Sequence, residues 1–222
     1  LYTSGTTGKP KGVVHTHKAI IHEHMSAKYA LDLKDEDVYW CTADPGWITG
    51  AVYGIISPWL NGVSIVAYEG RFDAEKWYEI LNKYKVGVLY TAPTAIRMLL
   101  KEGIKSKPGS LRHVCSVGEA LNPETIIQVY DAWKIIIHDT YWQTETGAMV
   151  ICNFLSEDIK LGSMGKPVPG IGAEIVDDAG KIMSPGKEGN IALKPDFPSL
   201  MKGVWRREDL YNELHAFLKE KK

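Results

Sequence analysis

The residues with the most obvious chemical capacity open the chain, in the run Thr3-Ser4-Gly5-Thr6-Thr7-Gly8-Lys9-Pro10-Lys11-Gly12. Glycines let a backbone turn tightly and aim its N–H groups at an anion, hydroxyls add donors, and lysines add charge. Such a loop suits phosphate. It is not the ordinary P-loop, whose pattern is G-x-x-x-x-G-K-[ST]. Here the glycines are spaced differently, and Pro10 stands where the magnesium-binding hydroxyl would be. His15, His17, His22 and His24 crowd the next stretch, but they match neither H-E-x-x-H nor a zinc spacing. They are expected as solvated imidazoles around a helix start.

Bulk composition narrows the function classes. The chain has 222 residues, 45% hydrophobic and 24% charged, with a formal net charge of -1. That balance fits one sizeable domain or two small lobes and lacks the basic excess of a nucleic-acid or membrane-surface protein. No apolar run approaches the roughly 20 residues that a bilayer span needs. Cys41, Cys115 and Cys152 are odd in number and widely spaced, which fits no disulfide framework or zinc pattern and points to a reducing, cytoplasmic location. The chain opens on Leu1 rather than Met and carries no signal peptide, and it reads as a piece of a longer protein.

The elements that must position the loop are legible as alternation. Short runs apolar on both faces, at 37–42, 63–68, 86–91, 111–117 and 134–139, read as buried parallel strands. Between them lie helical patterns with recognisable starts. Asp73 caps a helix whose Trp77, Ile80, Leu81 and Tyr84 share a face, Pro93 opens a second with Gly103 just past its end, and Asn122-Pro123-Glu124 opens a third. The expected fold class is therefore α/β, a mostly parallel sheet flanked by helices. After Gly147 short strands separated by Gly and Pro suggest a smaller β-rich lobe, with a hairpin at Asp177-Asp178-Ala179-Gly180-Lys181. The expected organisation is 1–147 for the α/β part, 148–203 for the β-rich part, and 204–222 for an amphipathic tail helix. The apolar face of that helix carries Leu210, Tyr211, Leu214, Phe217 and Leu218.

The unit TSGTTGKPKG, followed by CTADPGWITG, SVGEALNPE, DTYWQTETG and GSMGKPVPG in that order, resembles the adenylate-forming enzymes, and among them the acetyl-CoA synthetases. The resemblance runs over about residues 1–203. It implies ATP-dependent activation of a carboxylate to an acyl-adenylate, transfer of the acyl group to CoA, and Mg²⁺ with the nucleotide. Thr3, Ser4, Gly5, Thr6, Thr7, Gly8, Lys9 and Lys11 would grip the β- and γ-phosphates. Thr144 would bond the α-phosphate and Glu145 would hold Mg²⁺, a hard oxygen ligand for a hard ion. Gly118, Glu119 and Ala120 would line one side of adenine, with Asp139, Thr140, Tyr141, Trp142 and Gln143 on the other. Acetyl-CoA synthetases commonly carry Pro at the position of Ala120 and Trp at that of Tyr141.

The resemblance also implies an acyl pocket. Ile48, Thr49, Val117 and Trp142 would set its depth, and Trp47 would flank it. An indole at the floor leaves space for a few carbons only, since a longer chain must clash with it. One methylene is worth about 1–3 kcal/mol, so acetate leads and propionate follows. Relatives continue with a Tyr-x-Thr-Gly-Asp stretch and a C-terminal domain bearing the lysine needed for adenylation, elements this sequence lacks. The isolated chain is accordingly expected to be inactive. Two alternatives stand beside this reading: a truncated, non-catalytic nucleotide-binding or interaction protein, and an enzyme adenylating an amino or aryl acid.

Overall fold

The computed structural model describes residues 1–3 and 10–212. Strands β1 (Tyr2–Thr3) and β2 (Lys11–Val14) pair antiparallel, with Thr3 opposite Lys11 and Tyr2 opposite Gly12. The two ends of the stretch expected to bind phosphate are thus pinned side by side, while Ser4, Gly5, Thr6, Thr7, Gly8 and Lys9 lie outside the described residues. Helix α1 (Ala19–Ala30) follows, and its Ala27 and Ala30 are fully buried, small enough to bring the helix close to the sheet.

From there strands and helices alternate as the sequence pattern requires. The order is β3 (Val38–Cys41), α2 (Ile48–Ala51), a π-helical turn over Val52–Ile56, α3 (Ser57–Leu60) and β4 (Ser64–Val66). Next come α4 (Ala74–Lys83), β5 (Val88–Thr91), α5 (Pro93–Lys101), β6 (His113–Ser116), α6 (Pro123–Trp133) and β7 (Ile137–Tyr141). The Asp73 carboxylate accepts from the Lys76 amide at 2.8 Å, and the Asn122 side chain accepts from the Glu124 amide at 2.9 Å. Both caps satisfy amides that a helix start leaves without partners. Tyr84, expected on the buried face of α4, instead falls at the helix end and is exposed, with the Lys83 ammonium 5.2 Å from its ring centre.

The remaining strands are β8 (Ile151–Cys152), β9 (Lys166–Pro167), β10 (Ala173–Val176), β11 (Asn190–Leu193) and β12 (Gly203–Val204). The main sheet has seven strands in the order β4-β3-β5-β6-β7-β8-β9, parallel through β7 and antiparallel beyond it. Side chains alternate across it. Tyr39, Val88, Tyr90 and Cys115 face α1 and the π-helical turn, while Trp40, Leu89, Val114 and Ile137 face α4, α5 and α6. This period of two, with both faces covered, is why the strands read as continuous apolar runs.

The chain moves from β3 outward to β4, then back past β3 to β5 and onward in the other direction. Such a reversal opens a crevice at the carboxyl ends of parallel strands, the usual ligand position in an open α/β sheet.

Beyond Gly147 the outcome is mixed. β8 and β9, expected in the smaller lobe, extend the main sheet, because Gly147 at φ 71° turns the chain back along β7. β10 and β11 do form a separate antiparallel pair, and the turn at Asp177–Lys181 is closed by a bridge between Val176 and Ile182. β12 pairs with β2, so the end of the described chain returns to its beginning. Leu210 and Tyr211 pack against Val13, Met201 and Val204, whereas Leu214, Phe217 and Leu218 lie outside the described residues. Among the described residues no helix is long and apolar enough to cross a membrane.

Candidate active site

Three segments meet at the carboxyl edge of the parallel strands: the loop after β3, the residues that follow β6, and the turn that follows β7. β2 joins them from the side. Its Lys11 ammonium lies 2.6 Å from a Glu145 carboxylate oxygen, with side chains 15% and 20% exposed. The base of the glycine-rich opening loop and the acidic turn therefore share one place, although the sequence separates them widely.

The turn itself is tightly determined. Thr146 closes it by accepting from the Gln143 amide at 3.0 Å and sharing its one hydroxyl proton between the Gln143 and Ala148 carbonyls. Gly147 is needed for two reasons: its φ is positive, and a Cβ there would collide with the Ser199 carbonyl and sit 2.9 Å from the His15 ring. The two nitrogens of His15 face the Thr144 carbonyl at 2.8 Å and the Ser199 carbonyl at 3.0 Å. Neutral imidazole can donate to one of these, imidazolium to both. Burial pulls the His15 pKa below its ordinary value, partly opposed by those two carbonyls.

Ser199 completes the clamp. Its hydroxyl donates to the Thr146 carbonyl at 2.6 Å, so its oxygen accepts from His22 Nδ1, also at 2.6 Å. The Met201 amide holds the Glu145 carbonyl at 2.9 Å. His15 and His22 are thus structural groups, and for these two the expectation of solvated imidazoles is overturned. His17 is exposed and His24 half-buried. Among the described residues no group of His, Cys, Asp and Glu side chains is placed to hold a metal by itself.

The expected adenine residues divide by exposure. Gly118, at φ 92°, and Glu119 and Ala120 form an exposed bend directly after β6. Glu119 is drawn toward α5, accepting from Thr94 Oγ1 at 2.6 Å and pairing with Arg97 at 2.8 Å. Those two partners hold its pKa below the usual carboxylate value, the Thr94 hydrogen bond first. Asp139 is half-buried, and desolvation raises its pKa to about 6. Its backbone amide donates to the Asn153 side chain at 2.9 Å, which ties β7 to the segment after β8. Thr140 is buried and Tyr141 half-buried, and the exposed Gln143 donates to the Tyr141 hydroxyl at 3.3 Å.

The residues expected to shape an acyl pocket lie in or against the main apolar core. Val117 and Trp142 are buried in one extensive apolar cluster that also holds Tyr53 and Tyr90, and the half-buried Ile48 packs against it. Thr49 follows Ile48 in the first turn of α2, half-buried, whereas Trp47 is 61% exposed just before the helix. Gly50 is buried where a Cβ would collide with the Asp44 carbonyl, so the loop after β3 closes directly on α2. Sequence reasoning did not single out Thr146, Ser199, Tyr53 or Tyr90. The Thr146 hydroxyl bonds within its own turn, whereas the hydroxyls of Ser199, Tyr53 and Tyr90 find partners on other elements, which no local spacing announces.

Comparison with known proteins gives the family and the fold. An acetyl-coenzyme A synthetase of Bacillus subtilis is 52% identical over 214 residues, which is 95% of this chain and 37% of that protein. One from Methanothrix thermoacetophila is 42% identical over 222 residues, with 34% of its length matched. The chain therefore spans little more than a third of the curated relatives it matches. The crystal structure of a Brucella canis acyl-CoA synthetase superposes with a TM-score of 0.85 at 36% identity, covering 92% of this chain and 39% of that one. The model of the AMP-binding enzymes matches residues 1–205, taking in the paired strands, the acidic turn and the aromatic cluster together, and the chain belongs to that family.

Proposed function

We propose that these residues serve the adenylation of a short carboxylic acid, acetate before propionate, followed by transfer of the acyl group to CoA. In the first step a carboxylate oxygen of the acid bonds to the α-phosphorus of ATP and pyrophosphate leaves. In the second the CoA thiol attacks the acyl carbonyl and AMP leaves. The observation that carries the reading is the Lys11–Glu145 contact, made by a turn that begins three residues earlier at the buried Trp142. It supports one place where phosphate charge is met and a small apolar group is enclosed.

In this reading Lys11, with Thr3 beside it at the strand base, neutralises phosphate charge, and Thr144 meets the α-phosphate. Lys9 and Ser4–Gly8 complete the grip. Gly118, Glu119 and Ala120 line adenine on one side, and Asp139, Thr140, Tyr141 and Gln143 on the other. Glu145 holds Mg²⁺, and its chemistry fits: a lone carboxylate leaves the remaining positions to phosphate oxygens and water, the coordination this ion prefers. The ion would spread the negative charge that builds on the phosphates. Ile48, Thr49, Val117 and Trp142 enclose the acyl group, and excluding water protects the mixed anhydride from hydrolysis.

The test uses unreactive alkyl esters of AMP, in which an ethyl group matches the acetyl adenylate and a butyl group a longer one. Calorimetric titration of the chain should give tighter binding of the ethyl ester. Glu145→Gln should weaken Mg·ATP binding roughly tenfold, as expected for losing a charged contact. Trp142→Gly should bring the butyl ester level with the ethyl ester or ahead of it. Unchanged ATP affinity in the first variant, or an unchanged ester preference in the second, overturns the reading.

A further inference from the structure

The aromatic cluster contains a directed relay that the pocket assignment alone does not use. Trp142 Nε1 lies 3.2 Å from the Tyr90 hydroxyl, which lies 2.7 Å from Thr140 Oγ1, which donates to the Ser116 carbonyl at 2.7 Å. The directions follow by elimination. A carbonyl only accepts, so the Thr140 proton goes to Ser116. The Thr140 oxygen then accepts from Tyr90, and the Tyr90 oxygen accepts from the indole N–H. The relay crosses β5, β6 and β7 at their carboxyl ends.

The same indole is also packed against a second aromatic ring. The Tyr53 ring stands nearly perpendicular to it with centroids 5.0 Å apart, and Tyr53 meets Tyr90 at 5.9 Å. The Tyr53 hydroxyl is occupied elsewhere, accepting from the Met149 amide at 2.8 Å and lying 2.7 Å from Ser26 Oγ. Both tyrosines are fully buried. A buried indole N–H needs an acceptor. Within this cluster Tyr90 supplies it, so rotating the indole away would leave the N–H without its partner.

We propose that Tyr90 is a positioning residue that sets acyl-chain specificity, because its hydroxyl fixes the Trp142 indole at the floor of the acyl site. The proposal rests on the short-acid reading above. Packing against Tyr53 limits the indole's tilt, while the hydrogen bond to Tyr90 selects its rotamer. Burial raises the Tyr90 phenol pKa well above its ordinary value, so the hydroxyl keeps its proton at neutral pH.

The experiment compares the ethyl and butyl esters of AMP on the chain and on two variants that each lose one buried hydroxyl. In Tyr90→Phe the preference for the ethyl ester should fall roughly tenfold, the scale on which a pocket separates chains differing by a methylene or two. In Tyr53→Phe, which leaves the indole's acceptor in place, the preference should persist. No change in Tyr90→Phe, or an equal fall in both variants, overturns the proposal. Trp142→Gly separates the two levels of the argument. A shift there without one in Tyr90→Phe sinks this inference alone, and no shift there, or no binding of either ester, sinks the short-acid reading and this inference with it.

A measurement on the unsubstituted chain guards against a variant that fails to fold. In proton–nitrogen spectra the Trp142 indole N–H should exchange with solvent far more slowly than those of the exposed Trp47 and Trp59. Equal rates would mean that Tyr90 does not hold it.

Discussion

Lys11 and Glu145 form an ion pair whose side chains are only 15% and 20% exposed, so each charge relies on the other. Removing one partner of a largely buried pair leaves the other charge uncompensated and destabilises the fold, whereas removing both costs less. Lys11→Met and Glu145→Gln should each lower the urea midpoint, and the double variant should lose less than the sum of the two. An additive loss would show that the charges do not depend on one another. Gly147 stabilises the turn through its backbone. Gly147→Ala combines a positive φ with collisions against Ser199 and His15, and a loss of about 2–4 kcal/mol is expected in the same urea titration. A loss below 1 kcal/mol would show that the clamp around the turn yields easily. The residue types of the turn, Thr and Glu before Gly, were readable from the sequence. The clamp was not, because Ser199 is an ordinary serine until the fold brings it against Thr146 and His22.

At the scale of elements, local chemistry decided most boundaries. Asp73 and Asn122 cap α4 and α6 as their positions imply, and Lys134 ends α6 in the left-handed conformation at φ 55°. Asp73→Ala and Asn122→Ala should each cost about 1 kcal/mol. The two helix starts share no partners, so the double variant should lose about the sum, readable as additive shifts in thermal melting. The strands shortened to their paired cores, but their order along the chain followed the apolar runs. Short strands after Gly147 were harder to assign. An antiparallel strand added to the edge of a parallel sheet and one in a separate hairpin carry the same local pattern, and only pairing distinguishes β8 from β10. The opening segment gave a similar lesson, since nothing in its composition revealed that Thr3 and Lys11 would face each other across two strands.

For the whole molecule, buried ionisable groups set a pH signature. Glu23 on α1 is buried, one of its carboxylate oxygens has no hydrogen-bond partner, and desolvation raises its pKa to about 7 from an ordinary 4.5. The unfolded chain therefore ionises first. Stability from this group is intact below pH 4.5, falls as pH rises toward 7, and is fully lost above that, by on the order of 2–3 kcal/mol. Burial lowers the pKa of His113 from 6.5 to about 3, which acts with the opposite sign: its contribution is present above pH 6.5 and fades as pH drops toward 3. Glu23→Gln should gain stability relative to the parent on going from pH 4 to pH 8, measured as the difference between urea midpoints. A constant difference across that range would mean that Glu23 is solvated. What the sequence determined by itself was the five parallel strands from β3 to β7 with helices α4, α5 and α6 among them, the fold class and the identity of the reactive types, because propensity, capping and apolar period act over a few neighbouring residues. Only the tertiary structure decided that β2, the Glu145 turn and the Ser199 segment close on one another, and that Tyr90 holds Trp142. Those contacts join residues from separate strands and loops, and their partners are chosen by packing rather than by spacing along the chain.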